Sequence, residues 1–286
     1  MSLLKILLFS SAVLLSACNS GSSSGQRDPL IKKTDSKRTC VPESELLAGG
    51  IVGGQIVEQN DGDSKMVMML VSNGQMCTAV AIGKRVLLTA AHCIAGNKTN
   101  TFVSFYSSVS CESGFNKNLN TQGISETFVH PAYEPASTPE DMTGDIALVV
   151  LENDVPEGYT IYKIVDPEKI HQASEMYLYG YGKTGSNAGG AGMLRKTILS
   201  STSFDIDLNA KKIKVNQAGG NGICQGDSGG PSFVNNIDGE KQILGINSYV
   251  MGPESDICSK YSYQTLVNFY REWITEKTAG LTKPNR

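Results

Sequence analysis

The chain has 286 residues, 40% hydrophobic and 19% charged, with a formal net charge of −3 and a pI near 5.7. That hydrophobic share supports a sizeable core and excludes an intrinsically disordered chain, while the absence of any basic block argues against a nucleic-acid partner. Thirty glycines and few long periodic stretches favour short strands joined by turns over a helical bundle.

The first segment reads as a targeting signal. Lys5 supplies a positive n-region, and Ile6 to Leu15 is an apolar run too short to span a bilayer as a stable helix, so residues 1–17 are set apart as a signal peptide. The run ends in Leu15-Ser16-Ala17-Cys18, which resembles a bacterial lipobox and implies lipid on Cys18; a plain secretory signal with Cys18 incidental is the alternative. Asn19 to Gln26 follows as a flexible tether spanning about 15 Å as a coil. Residues 18–50 thus form a tether and pro-segment ahead of a domain over 51–286. The expected location is outside the cytoplasm, with membrane contact through the Cys18 lipid; Asn19 resembles a signal for an outer membrane. Release into the medium is the other outcome.

Short strands are expected at Met66 to Val71, Ala79 to Ile82, Arg85 to Thr89, Thr101 to Phe105 and Ile146 to Leu151. A second group is expected at Met176 to Gly180, Gly192 to Thr197, Ile213 to Val215, Pro231 to Asn235, Gln242 to Tyr249 and Tyr261 to Thr265. Gly185 to Gly192 reads as a mobile surface loop. Leu266, Phe269, Tyr270, Trp273 and Ile274 recur at helical spacing and read as the core stripe of a closing helix.

Three segments carry chemistry. Gly226-Asp227-Ser228-Gly229-Gly230-Pro231 sets a serine in a glycine-rich turn, where backbone N–H groups can approach a substrate carbonyl. Upstream lie Thr89-Ala90-Ala91-His92-Cys93 and Gly144-Asp145-Ile146-Ala147-Leu148. A neutral serine hydroxyl is a poor nucleophile, and it needs a base within hydrogen-bond reach and an acid to orient that base. Of the three histidines, His130 and His171 read as surface residues.

Together with Ile51-Val52-Gly53-Gly54, Val129-His130-Pro131-Ala132-Tyr133, Gly180-Tyr181-Gly182, Ser248-Tyr249-Val250 and the Trp273 helix, these segments resemble the trypsin/chymotrypsin family of serine proteases. The resemblance runs from Ile51 to about Ile274. It implies an all-β fold of two Greek-key six-stranded barrels, with the active site in the cleft between them and a C-terminal helix. It implies a serine endopeptidase with Ser228 as nucleophile, His92 as base and Asp145 as its orienting acid, acting on protein or peptide substrates as a monomer. The oxyanion hole falls on the N–H groups of Gly226 and Ser228. Asp227 is placed to pair with the amino group of a newly exposed Ile51, which makes the chain a zymogen cut at Gly50–Ile51. Gly50 stands where typical activation sites carry Arg or Lys, so an activator that accepts small residues, including this protease itself, is expected.

The resemblance also places the substrate-binding residues at Gly222, Ile223, Gln225, Ser248, Tyr249, Val250 and Ser262. Gly222 occupies the pocket base where trypsin-like members carry an aspartate. Val250 and Ser262 stand where glycines keep the pocket open, so a preference for small or apolar P1 residues follows. Seven cysteines is an odd number, and assigning Cys18 to lipid leaves six. Cys77–Cys93 and Cys224–Cys258 match family bridges; Cys40 and Cys111 then pair by elimination, with two unpaired cysteines as the alternative. No metal site has credible spacing, and no cofactor is implied. The rival reading is a catalytically silent binding protein on the same fold.

Overall fold

The computed structural model describes residues 51–96, 100–106, 120–135 and 142–281, without the side chains of His171 and Gln172. The leader, Cys18, Cys40, Gly50 and Cys111 lie outside the described residues.

The first unit is the expected closed barrel of six strands. It comprises β2 (Met68–Ser72), β3 (Gln75–Ala81), β4 (Val86–Thr89), β5 (Phe102–Ser104), β6 (Thr121–Val129) and β7 (Ala147–Leu151), closed in the order β2-β3-β4-β7-β6-β5. β2 and β3 form a hairpin across Asn73-Gly74, whose φ angles of 51° and 78° match the twist of the strands it joins. β4 and β7 are buried on both faces and pair Leu88 with Leu148 at the centre.

The second unit is a half-barrel. Its strands are β1 (Gln55–Ile56), β8 (Glu175–Gly180), β9 (Arg195–Ser200), β10 (Phe204–Asp207), β11 (Lys212–Asn216), β12 (Pro231–Asn235), β13 (Lys241–Met251) and β14 (Tyr261–Leu266). They form one antiparallel sheet in the order β1-β9-β8-β12-β13-β14-β11-β10. Here the architecture departs from a second closed six-stranded barrel, because two short strands, β1 and β10, extend the sheet at its ends. A cluster around Met176, Leu178, Ile213, Val215, Leu244 and Leu266 fills its concave side, while Tyr179, Tyr181 and Phe233 join the core of the first barrel.

Among the described residues two short α-helices accompany the strands: α1 (Ala91–Ile94) between β4 and β5, and α2 (Arg271–Thr278) after β14. The closing stripe is partly as expected. Tyr270, Trp273 and Ile274 are buried, but Leu266 ends β14 and Phe269 is 41% exposed on a 3₁₀ turn. His130 is not a surface side chain. It packs edge-on against Tyr270 and Trp273, with ring centroids 4.8 and 4.9 Å away, and burial lowers its pKa. The loop from Gly185 to Gly192 is tied down rather than loose: Ser186 Oγ donates to Asp256 Oδ1 at 2.8 Å, and Gly192 N–H donates to Tyr181 O at 2.7 Å.

Candidate active site

Helix α1 begins at Ala90, which has no side chain able to cap it. Asp145 does that work from the segment leading into β7, the strand paired with β4. Its Oδ1 accepts the backbone N–H of His92 at 2.9 Å, satisfying a first-turn donor that the short helix leaves open. Its Oδ2 lies 2.9 Å from His92 Nδ1. A carboxylate only accepts, so Nδ1 carries the proton and Nε2 is the acceptor nitrogen of the ring. Asp145 is 2% exposed and the His92 side chain 31%, so the acid is shielded while the imidazole remains reachable from solvent. Burial opposes ionisation of Asp145, but the charge of His92 and the bonds from His92 and Ser248 outweigh it and hold the carboxyl below its usual range.

Backbone irregularities aim these groups. Gly144 has φ of +62°, and a Cβ there would lie 2.5 Å from the carbonyl carbon of Ala132, so only glycine fits before Asp145. In β13 the register slips between Asn247 and Tyr249, leaving Ser248 as the extra residue of a bulge. The bulge turns Ser248 Oγ so that it donates a hydrogen bond to Asp145 Oδ2.

The Ser228 turn is pressed against the first barrel. Its carbonyl accepts Thr78 N–H at 2.7 Å, and Gly229 packs so closely on Thr89, Thr78 and Ala90 that a Cβ would meet Thr89 Oγ1 at 2.1 Å. Cys77, next to Thr78, is bridged to Cys93, next to His92. The serine turn and the histidine helix are therefore fixed to the same piece of β3. His92, Cys77 and Cys93 place ligand-type atoms within 4.8 Å of one another, but the sulfurs are joined in a disulfide and offer no thiolate to a metal. Lys183 N–H binds the carbonyl of Gln225 at 2.9 Å. Because a trans peptide sets C=O and N–H in opposite directions, this turns the Gly226 N–H away from Lys183. Among the described residues neither Gly226 N–H nor Ser228 N–H meets an acceptor.

Asp227 is fully buried behind this turn. Its Oδ1 accepts Gly182 N–H at 2.7 Å and its Oδ2 accepts Cys224 N–H at 2.8 Å. A Cβ on Gly180 would stand 2.1 Å from Oδ1, and one on Gly182 would stand 2.6 Å from the carboxyl carbon. Both glycines of Gly180-Tyr181-Gly182 are thus required by the Asp227 carboxylate. Ile51 is fully buried nearby, and Val52 bridges to Gly222, with Gly222 N–H donating to Val52 O at 3.0 Å.

The residue-51 to residue-274 stretch matches the trypsin family model. The chain belongs to the trypsin family. Similar curated proteins include chymotrypsin-like elastase family member 1 of Homo sapiens, 28% identical over 245 residues, covering 80% of this chain and 93% of that protein. The Rattus norvegicus protein of the same name is 26% identical over 244 residues (80% and 90%). Venom serine protease 34 of Apis mellifera is 30% identical over 244 residues, spanning 80% of this chain and 58% of the bee protein. As a trypsin-family member the chain is a serine endopeptidase.

In this trypsin-family chain the residues expected to line the substrate pocket differ in exposure. Ser262 has no exposed surface and Ile223 has 1%, so neither reaches solvent, whereas Gln225, Tyr249 and Val250 are half-buried at the surface. Val250 lies directly across from Ser262 in the β13–β14 ladder. Beneath Gly222 sits Gln217, a residue that sequence reading passes over. Its Oε1 accepts Ile223 N–H at 2.6 Å, and its Nε2 donates to the carbonyls of Ile223 and Cys258. A Cβ on Gly222 would lie 2.0 Å from Gln217 Oε1. Gly222→Asp is therefore expected to unseat Gln217 and destabilise the protein by about 2–4 kcal/mol, without creating activity toward Arg substrates. Chemical denaturation and cleavage of synthetic Arg and Ala substrates check both halves; rapid Arg cleavage by a stable variant would show that the space is open.

Proposed function

We propose that this protein cleaves peptide bonds through Ser228, His92 and Asp145. Ser228 Oγ attacks the scissile carbonyl carbon as His92 Nε2 takes its proton, and the N–H groups of Gly226 and Ser228 receive the oxyanion. His92 then protonates the leaving amine, and water releases the acyl group by the same route in reverse. Asp145 holds the tautomer and stabilises the imidazolium. The observation that supports this reading most is the pair of bonds from Asp145 to the His92 backbone and ring.

Buried Ile223 and Ser262, with Val250 opposite, favour small or apolar P1 side chains, in line with the elastase-named relatives. Cutting at Gly50–Ile51 frees the amino group that pairs with Asp227, and such a site suits an enzyme of this same preference. The disulfides Cys77–Cys93 and Cys224–Cys258 fit an exported protein. Lipid on Cys18 would hold it at a membrane.

The test is to incubate protein beginning at Ile51 with a denatured protein mixture and map the cuts by mass spectrometry, with Ser228→Ala as control. Cuts after Ala, Val or similar residues that vanish in the control are expected. Cuts after Lys or Arg would overturn the pocket reading, and no cuts from folded protein would favour a silent binding protein.

A further inference from the structure

Arg195 is 2% exposed and the bulkiest of the fully buried side chains. It lies on the inward face of β9, in step with Thr197 and Leu199. A buried cation demands a counter-charge or hydrogen bonds. Its Nη1 donates to the carbonyls of Gly190 at 3.1 Å and Met193 at 3.4 Å, which anchors the guanidinium. The β8–β9 ladder sets Arg195 directly opposite Gly180. Side chains opposite one another in an antiparallel pair project on the same face. On that face of Gly180, where a Cβ would be, lies Asp227 Oδ1. The strand register thus turns Arg195 toward the carboxylate.

The charges act on one another. Burial lowers Arg195 to about 10, while Asp227 pulls it back up, so it stays protonated at neutral pH. Burial raises Asp227 to about 7, against the opposing effects of Cys224 N–H, Gly182 N–H and Arg195. Among the described residues Arg195 is the charged side chain that acts on Asp227. In this chain residue 50 precedes Ile51, so the Ile51 nitrogen is a neutral peptide group. Even so, Ile51 is fully buried and the Gln225 carbonyl is already turned onto Lys183 N–H.

We propose that Arg195 supplies the counter-charge for Asp227 in the uncut chain, so that the single-chain protein has an assembled oxyanion loop and a basal peptidase activity before Gly50–Ile51 is cut. The inference rests on the reading of Gly50–Ile51 as a processing site. Arg195 acts here as a positioning residue: it touches no substrate and works through Asp227 on the Gly226–Ser228 turn. Cutting then adds a second cation, the Ile51 ammonium, to a carboxylate that Arg195 stabilises only in part.

The test uses the full chain with Gly50→Pro, which blocks the cut, and the chain beginning at Ile51. Each is treated with an active-site phosphonate, and the rate of Ser228 labelling is followed by intact mass. The uncut chain is expected to be labelled, more slowly than the Ile51 chain. Arg195→Met should slow labelling of the uncut chain by at least about tenfold, or about 1.4 kcal/mol, and Arg195→Lys should restore most of it. In the Ile51 chain Arg195→Met should cost far less, which also shows that the variant folds. An unlabelled Gly50→Pro chain beside a labelled Ile51 chain would overturn the proposal. So would an equal loss from Arg195→Met in both chains, because that marks a purely structural role. Silence of both chains would overturn the catalytic reading and this proposal with it.

Discussion

Asp145→Asn is expected to lower kcat by about 10⁴-fold with KM changed little, a magnitude carried over from the same substitution within this family. The reason lies in the two bonds to His92. Asp145 Oδ1 accepts the backbone N–H and Oδ2 faces Nδ1, while Ser248 donates to the same Oδ2. An asparagine can keep its oxygen on the backbone N–H, but its NH₂ then faces Nδ1 and forces the ring proton onto Nε2. The base is lost while the fold and the pocket are kept. Steady-state kinetics on a small apolar P1 substrate read the effect, with thermal unfolding to confirm the fold. A loss of less than tenfold would show that Asp145 does not set the tautomer.

The second large effect concerns pH and Asp227. Its carboxyl is raised to about 7 in the folded chain, chiefly by burial, against an ordinary value of 3.8. The folded protein therefore holds a proton that the unfolded chain gives up. The stability this contributes is fully present below pH 3.8 and is lost as pH rises through 7. For the uncut Ser228→Ala protein the loss across that window is expected to be about 4 kcal/mol. Asp145 has the opposite sign: its carboxyl lies below the usual value, so its contribution is lost only as pH falls below about 4. Urea unfolding at pH 4, 5.5 and 7 should show the decline, and Asp227→Asn should flatten it. The same slope in both proteins would show that Asp227 is not its source.

Much of the candidate site was legible because the proposed chemistry demands particular residues in particular settings. Gly180-Tyr181-Gly182 could be quoted from the sequence as a motif, but its reason is visible only once the Asp227 carboxylate is seen filling the space of both missing side chains. Strands that are buried along nearly their whole length, such as β7 and β12, were easy to place. β6 was not, because Thr121–Val129 is half-exposed and interrupted by Gly123, so no alternation marks it. The start of β3 carried a usable signal in Asn73-Gly74, the dipeptide of a tight hairpin. Arg195 could have been suspected from its step with Thr197 and Leu199, yet charge alone suggests a solvated face. Gln217 offered nothing local, since its partners at Ile223 and Cys258 come from separate segments. The half-barrel form of the second unit depends on β1 and β10, two short strands whose pairing is a tertiary matter.

The bridge between Val52 and Gly222 ties the segment that follows the proposed processing site to the proposed floor of the substrate pocket. Gly53 is wedged into the same place, its missing side chain 2.1 Å from the carbonyl of Gly220. On the proposed reading, docking of residues 51–54 and occupancy of the pocket share one piece of backbone, and the two equilibria are expected to be coupled. A substrate or inhibitor that favours the shaped floor must favour the docked segment by the same factor, whichever binds first. On that proposal, maturation and substrate recognition act as two ligands of a single loop.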